Sequence, residues 1–272
     1  MQRTEIADLI YDKLKENQEL LTSQFAASKD TIGYFFIDDL LPVELVQVVY
    51  AVFPKIGEKH VVERKDIREF KHIAYQMNKY NTLLEELIYA FQDKKVVKIV
   101  GEICGKLDML PDEFLYAGGL SLMGKENYLH PHLDNSHDKD RNRWRAVNLL
   151  YYVTPEWEIN NGGNLELWPN GISKDPLTII SKFNRLVVMA THQNSWHSVS
   201  KVKGEAVRCC VSNYYFSDTP VLPTDTFHVT TFRVGSKNRK LDLVLKSDNL
   251  LRKTVRKIFK KGIRENPHQY KK

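Results

Sequence analysis

Cysteine is scarce in this chain, which contains only Cys104, Cys209 and Cys210 among 272 residues. Three cysteines at this spacing are too few for a disulfide framework or a cysteine-rich zinc site, and they favour a reducing, cytoplasmic setting. No apolar run reaches the roughly 18 residues that a membrane span needs. The charged residues 1–16 contain no apolar signal core. We therefore expect neither a membrane span nor secretion.

A net positive charge is also lacking in most of the chain, although the formal net charge of the whole chain is +6. Residues 233–272 contain 14 Lys and Arg against 3 Asp and Glu, whereas the first 232 residues contain 26 against 31. This balance argues against a nucleic-acid-binding body. It leaves three roles open for the basic tail, namely a solvated surface, a nucleic-acid or membrane contact, and the recruitment of an acidic partner.

The first part of the sequence, residues 1–113, is predicted to be a helical support region. Apolar residues recur there at helical spacing, whereas one short aromatic run indicates a strand. Helices are predicted over residues 4–22, 41–53 and 82–103, and a strand over residues 33–37. The polar residues 57–80 give no firm assignment.

Residues 114–218 change to a β-rich pattern, in which short runs are separated by Gly, Pro and Asn turn signals. Seven strands at this spacing predict a sandwich or jelly roll. They cover residues 115–123, 145–153, 164–168, 177–181, 185–190, 195–202 and 207–216. Residues 219–272 form the basic extension, with strands predicted over 226–232 and 241–245. A final helix is predicted to be capped by Ser247 or Asp248.

Three potential metal ligands occur within five residues, at His130, His132 and Asp134. Because side chains alternate along a strand, His132 and Asp134 share one face, and His130 joins them only if the strand runs straight. A second histidine would complete a set of two imidazoles and one carboxylate, which suits Fe(II) and leaves positions open. His197 is the candidate, since it lies in an alternating strand 63 residues after Asp134.

A possible carboxylate-binding pair follows eleven residues after His197. Arg208 lies in a strand rich in Val and Cys, and a lone buried arginine is costly unless it meets an anion. Ser212 is four residues further on and therefore shares the face of Arg208. A guanidinium beside a hydroxyl in an apolar pocket suits a carboxylate ligand.

These residues resemble the Fe(II)/2-oxoglutarate-dependent dioxygenases, within them the prolyl 4-hydroxylase-like branch, and especially the hypoxia-sensing prolyl hydroxylases. The resemblance covers about residues 120–218 and includes the ligand motifs, residues 145–152, Gly162-Gly163 and Arg208 with Ser212. It implies a mainly β fold with α, namely a double-stranded β-helix (a jelly roll) buttressed by N-terminal helices. The implied cofactor is Fe(II), with 2-oxoglutarate and O2 as cosubstrates and ascorbate as a further reductant.

The resemblance also implies roles for particular residues. It assigns His132, Asp134 and His197 to Fe(II), and Arg208, Ser212 and Tyr152 to the distal carboxylate of 2-oxoglutarate. The implied reaction hydroxylates an unactivated C–H bond of a prolyl residue, an amino acid or another small molecule, and releases succinate and CO2.

One position departs from the hypoxia-sensing pattern. Those enzymes have a tyrosine ten residues before the first metal ligand, where this chain has Leu122. Tyr128 or Asn148 would then have to contact the other end of the cosubstrate.

Two alternatives of other classes remain open from the sequence. His130, His132 and Asp134 are similar to the His-x-His-x-Asp-His run of metallo-β-lactamase-like zinc hydrolases, but the last position is Asn135 and that fold alternates strands with helices. The second alternative is a non-catalytic sensor that binds 2-oxoglutarate and metal. Activity with ferrous iron rather than zinc, and succinate formation, distinguish the three hypotheses.

Overall fold

A computed structural model describes residues 1–259 and 268–270 of the chain. Its helices are α1 Arg3–Glu16, α2 Gln18–Ser28, α3 Val43–Ala51, α4 Thr82–Ala90, α5 Lys94–Cys104 and α6 Arg239–Ile258. Its strands are β1 Tyr34–Ile37, β2 Val62–Lys65, β3 Glu69–Ala74, β4 Met109–Leu110, β5 Gly119–Met123, β6 Tyr128–Leu133, β7 Trp144–Tyr152, β8 Leu165–Leu167, β9 Leu177–Ile179, β10 Arg185–Ala190, β11 His197–Val199, β12 Arg208–Ser217 and β13 Thr231–Phe232.

The strands belong to one curled antiparallel sheet. Its path is β1-β10-β7-β12-β5-β3-β6-β11-β8-β9, with β2 paired to β3, β4 to β12 and β13 to β6. Strands from residues 1–113 and from the extension thus join the strands of residues 114–218. The curled sheet is the predicted double-stranded β-helix.

Side chains along the central strands point alternately to the sheet face that the helices cover and into the interior of the barrel. On β12, Val211 and Tyr215 pack into the main hydrophobic core, whereas Arg208 and Ser212 point to the interior cavity. The helices supply the other side of that core, as predicted. On α5, for example, Val96 and Val100 are fully buried, and each such side chain contributes about 1.5–3 kcal/mol.

Two predictions for the N-terminal part need correction. The helix predicted over residues 4–22 is interrupted, because Asn17 ends α1 by donating from Nδ2 to the Lys13 carbonyl and α2 starts at the next residue. The unassigned residues 57–80 contain the β2–β3 hairpin. Its sequence has no apolar alternation, because β2 alternates only between partly buried and exposed side chains and the first three side chains of β3 are only partly buried.

The C-terminal extension also differs from expectation. The predicted strand over residues 241–245 is wrong, because these residues lie inside α6. The side chain of Asn238 caps that helix by accepting from the Leu241 amide, so Ser247 and Asp248 are interior rather than capping residues. The strand predicted over 226–232 is present only as β13. Residues 260–267 and 271–272 of the extension lie outside the described residues.

No helix in the described part of the chain is both long enough and apolar enough to cross a bilayer.

Candidate active site

Strands β6 and β11 bring the three predicted metal ligands together. His132 near the end of β6 pairs directly with His197 at the start of β11, and Asp134 follows β6 immediately. One ligand atom from each residue lies within 4.8 Å of the others. The Nε2 atoms of His132 and His197 lie 3.6 and 3.7 Å from the Asp134 carboxylate. Sheet register therefore joins residues that are far apart in sequence.

Backbone carbonyls orient both imidazoles. Nδ1 of His132 lies 3.0 Å from the His130 carbonyl, and Nδ1 of His197 lies 2.9 Å from the Ser195 carbonyl. A carbonyl only accepts, so each Nδ1 carries the proton and donates it. Each Nε2 then keeps its lone pair for a metal, as a ligating histidine requires.

The electrostatics of the cluster favour a neutral imidazole beside an ionised carboxylate. Burial raises the pKa of Asp134, but the surrounding His132 and His197 imidazoles and the Arg145 guanidinium outweigh it and hold that pKa well below its usual range. Burial, followed by the proximity of His132, lowers the pKa of His197 to about 4. These are the protonation states in which both groups bind a divalent cation.

The donor set fits ferrous iron. Two imidazole nitrogens and one carboxylate that leave further positions open are the ligands of non-haem Fe(II) oxygenases. His130 is not part of this group among the described residues. Its ring instead lies against that of Tyr128, with the centroids 4.7 Å apart and the planes tilted by 49°. The zinc-hydrolase trio of His130, His132 and Asp134 is therefore not assembled.

A buried cation faces the same cavity from β12. Arg208 is 3% exposed, donates through Nη1 to the Gly163 carbonyl at 3.4 Å, and has no hydrogen-bond partner for Nε. Ser212 lines the cavity together with Arg208 and the three candidate ligands. An uncompensated buried guanidinium is strongly unfavourable, so this end of the cavity suits an anionic ligand such as the distal carboxylate of 2-oxoglutarate.

Unsatisfied polar atoms are concentrated around this cavity. Among the described residues, six buried side-chain N or O atoms lack a hydrogen-bond partner, and five belong to Arg145, Asn148, Tyr152 and Arg208. Each such atom costs about 1–3 kcal/mol. Tyr152 stacks beneath Arg208, whose Cζ lies 5.3 Å from its ring, and burial raises the Tyr152 pKa. Because Tyr152 is absent from the cavity lining, its contact with the cosubstrate stays a prediction.

The Gly162-Gly163 pair allows the close approach of this loop to β12. Gly163 has φ +63°, and a Cβ there would lie 2.9 Å from Val202 Cγ2 and 3.3 Å from Arg208 Cδ. At Gly162 a Cβ would lie 2.0 Å from the Lys201 carbonyl oxygen. Only glycine fits this approach, which puts the Gly163 carbonyl beside the guanidinium.

The position of Leu122 explains how the chain departs from the hypoxia-sensing pattern. Leu122 points into the core under the helices, whereas its neighbour Ser121 lines the cavity. Tyr128 does not line either cavity at the metal site, and its hydroxyl donates to the Asp66 carbonyl at 3.3 Å. Asn148 does line the inner cavity and donates from Nδ2 to Asp134 Oδ2 at 3.5 Å. Of the two proposed substitutes, only Asn148 is therefore in place.

Sequence reasoning missed the residues that β3 and the chain's end contribute. Lys71 of β3 lines the cavity, and its unassigned segment carried no motif that indicated this. His268 also lines it and lies 2.7 Å, through Nε2, from the Gly118 carbonyl. Its position depends on the docking of residues that are far apart in the chain, and no sequence motif indicates that docking.

The comparisons with known proteins agree with this geometry. A model described as the 2OG-Fe(II) oxygenase superfamily matches residues 118–216, which include His132, Asp134, His197, Arg208 and Ser212. No curated protein matches the chain. The structural likenesses, in contrast, are extensive.

Three solved structures represent these likenesses. A prolyl hydroxylase from Trichoplax adhaerens, in complex with a hypoxia-inducible factor oxygen degradation domain peptide, has 20% identity and a TM-score of 0.50, covering 75% of this chain and 92% of its own. A prolyl 4-hydroxylase from Phytophthora capsici has 18% identity and a TM-score of 0.56, covering 94% and 80%. SnoN, a non-heme α-ketoglutarate-dependent epimerase of nogalamycin biosynthesis, has 13% identity and a TM-score of 0.50, covering 76% and 88%.

Over residues 118–216 this chain is similar to the 2OG-Fe(II) oxygenase superfamily.

Proposed function

We propose that this protein is an Fe(II)- and 2-oxoglutarate-dependent dioxygenase that hydroxylates an unactivated C–H bond of a prolyl residue in a peptide, with release of succinate and CO2. One observation carries the proposal. The buried group of His132, Asp134 and His197 shares a single cavity with the uncompensated guanidinium of Arg208. A metal centre and an anion site in one pocket are what a dicarboxylate cosubstrate requires.

The residues of the chain have distinct proposed roles. His132, Asp134 and His197 would hold Fe(II), which when bound supplies the activation of dioxygen and the oxidation of 2-oxoglutarate. Arg208 would pair with the distal carboxylate, while Ser212 and Tyr152 would donate hydrogen bonds to it. Burial of the ligands excludes water around the reacting atoms.

Asn148 would fix the rotamer of the Asp134 carboxylate. Its Nδ2 donates to Oδ2, and Arg145 lies 3.7 Å from the same oxygen. The Oδ1 atom of Asn148 has no partner, and Asn148 lines the cavity that the metal group shares with Arg208, so Oδ1 would accept a hydrogen bond from a bound water or substrate hydroxyl. These contacts support a fixed ligand geometry, as outer-sphere hydrogen bonds do at metal sites.

The choice of a prolyl substrate is supported by the two hydroxylases that share the fold, one of them solved with a peptide. The epimerase SnoN shares the fold as well, so amino acids and other small molecules belong in the same test. The three cysteines are all free, which supports a reducing, cytoplasmic setting as part of the proposal.

A succinate-release assay with Fe(II), 2-oxoglutarate and ascorbate tests this proposal. Proline-containing peptides, free amino acids and other small molecules are the substrate arms, and product mass gives the added oxygen. We expect substrate-dependent succinate from the natural chain and none from Asp134→Ala. Turnover that survives Asp134→Ala, or that zinc supports in place of iron, would contradict it. Tight 2-oxoglutarate binding without succinate from any arm would favour the sensor.

A further inference from the structure

A second cavity, of about 600 Å³, opens outward from the candidate metal site between the β2–β3 hairpin and α6, and we call it the outer cleft. Its lining contains six Arg or Lys residues but only two acidic residues, Glu69 and Asp134. We propose that the outer cleft binds an acidic peptide segment that also carries an apolar side chain, and so selects the polypeptide to be hydroxylated. This inference rests on the proposed function.

The hairpin presents two cations side by side. Arg64 of β2 lies directly opposite Lys71 of β3 in the antiparallel register, and both side chains line the outer cleft. Like charges at directly opposed positions destabilise a strand pair. Lys71 is paired with Glu69 at 3.0 Å. Arg64 has no ion-pair partner within 4 Å among the described residues, so its charge is available to a ligand.

The other cations divide into compensated and uncompensated groups. Arg68 and Arg252 share Asp248, and Arg68 also pairs with Asp66, so they contribute little net charge. Arg145 at the floor is 2% exposed, and its Nε and Nη2 have no hydrogen-bond partner. Among the described residues, the carboxylate within 4 Å of its guanidinium is that of Asp134, at 3.7 Å, which the metal would share. Arg256, the sixth cation of the lining, has interactions of its own. The uncompensated charges of Arg64 and Arg145 therefore lie along a line from the hairpin to the metal site.

Helix α6 adds an apolar wall. Leu251 is 65% exposed although it lines the outer cleft, and Val255 lies one turn further along the same face. A cleft lined by an exposed leucine and by arginines is best matched by a ligand that carries both an apolar group and anionic groups. A small anion would neutralise Arg64 but would leave Leu251 in water. An acidic peptide covers both, and a cleft of this size accommodates several residues of a chain.

Peptide binding tests the inference without requiring turnover. Fluorescently labelled peptides of equal length are compared by anisotropy on the full chain with Fe(II) and 2-oxoglutarate, without oxygen. Each has a central Pro-Leu pair, flanked in one by Asp and Glu and in the other by Asn and Gln. We expect the acidic peptide to bind at least tenfold more tightly at low ionic strength, and the advantage to shrink as salt is added. Equal affinities would overturn the inference.

Charge reversal locates the binding face. Arg64→Glu is compared with Lys65→Glu, which makes the same change on the next residue of β2, whose side chain points to the opposite face. We expect Arg64→Glu to weaken binding of the acidic peptide at least tenfold and to strengthen binding of a Lys-flanked peptide. We expect Lys65→Glu to change neither affinity by more than about twofold. Equal losses from both variants would mean long-range charge alone, and would overturn the assignment.

The apolar contact has its own matched pair. Leu251→Asn is compared with Leu243→Asn on the same helix, where Leu243 is 62% exposed and outside the cleft lining. The two side chains are exposed to almost the same extent, so both variants should lose a similarly small amount of stability. We expect only Leu251→Asn to weaken binding of the acidic peptide, by about fivefold to tenfold, because one leucine contact with the peptide is lost. No difference between the two would remove α6 from the proposed site.

One further readout distinguishes failure of this inference from failure of the proposed function. Fe(II)-dependent binding of 2-oxoglutarate is measured on the same samples. If 2-oxoglutarate binds but the acidic peptide has no advantage, the inference fails and the proposed function stands. If 2-oxoglutarate does not bind, the proposed function fails, and the peptide and charge-reversal results still decide whether the cleft recognises acidic chains.

Discussion

His132 of β6 lies directly opposite His197 of β11, and their ring centroids are 4.1 Å apart. Both Nδ1 atoms lie against backbone carbonyls, so both Nε2 atoms face the Asp134 carboxylate. The ligand geometry is therefore fixed by strand register and by main-chain hydrogen bonds. A site built on paired strands is held more rigidly than one built on loops.

The contact from Asn148 to Asp134 makes the first prediction. Asn148→Ala removes the amide that orients the carboxylate, so we expect Fe(II) affinity to fall about 10-fold to 100-fold. Anaerobic metal titration measures it. Tyr128→Phe serves as the control, because its hydroxyl bonds only to the Asp66 carbonyl outside the cavity. An effect of Tyr128→Phe on Fe(II) affinity as large as that of Asn148→Ala would contradict the role of Asn148 in orienting Asp134.

The uncompensated charge of Arg208 makes the second prediction. Arg208→Gln removes a buried cation that has no anionic partner, so the ligand-free protein should be as stable as the natural chain or more stable. The KM for 2-oxoglutarate should rise by about 100-fold, because a charge-assisted pair is lost. Thermal unfolding of the ligand-free protein measures the first effect, and succinate release at varied 2-oxoglutarate concentrations measures the second. Destabilisation of the ligand-free protein together with an unchanged KM would indicate a structural role only.

Close packing at Gly163 makes the third prediction. Gly163→Ala should cost about 1–3 kcal/mol through its positive φ, and should also raise the KM for 2-oxoglutarate by displacing Arg208. Gly171→Ala is the matched control, since Gly171 has φ +81° with no atom within 4 Å of the added Cβ. Both variants should lower the melting temperature, and only Gly163→Ala should change the KM. A KM effect from both would mean that general destabilisation is the cause.

The docking of α6 through Asp242 makes the fourth prediction, which includes a pH dependence. Hydrogen bonds from Arg233, at 2.8 and 2.9 Å, lower the pKa of Asp242 despite its burial, and the Val234 and Gly235 amides lower it further. A lowered pKa stabilises the fold above the ordinary aspartate pKa, and this stabilisation is lost as the pH falls. Asp242→Ala should therefore cost about 2–3 kcal/mol near neutral pH, with a smaller difference below about pH 4.

Hydrogen exchange of the α6 amides and denaturant unfolding across pH measure this effect. Glu205→Ala is the control, because Glu205 is 82% exposed in its surface pair with Lys125 and should change stability by less than about 0.5 kcal/mol. A stability difference for Asp242→Ala that grows as the pH falls would contradict the assignment.

The spacing of residue types was sufficient to predict a sandwich or jelly roll and to single out the metal-binding candidates, and the resemblance to the dioxygenases selected the jelly roll. Strand alternation predicted that His132 and Asp134 would lie together, and that Arg208 and Ser212 would share a face, and the structure agrees. Such patterns are local, because they depend only on the two-residue period of a strand.

The features that could not be predicted depend on long-range packing. The sequence of Leu241–Leu245 is compatible with both the helical and the strand period. Burial of Asp242, Leu245 and Asn249 against β13 and the loop after it favours the helix. Similarly, Lys71 reaches the cavity only because β3 pairs with both β5 and β6. No motif marks the residue before Leu122 as the one that faces the cavity, since this depends on the register of β5.

Anaerobic titration of the Fe(II)-loaded protein with 2-oxoglutarate tests the central claim most directly, with iron content and cosubstrate binding measured together. We expect the natural chain to bind one ferrous ion and then 2-oxoglutarate, with a charge-transfer absorption that neither ligand gives alone. His197→Ala should lose the iron and the absorption, and Arg208→Gln should keep the iron while its 2-oxoglutarate affinity falls. Unchanged absorption and affinity in both variants would contradict the account.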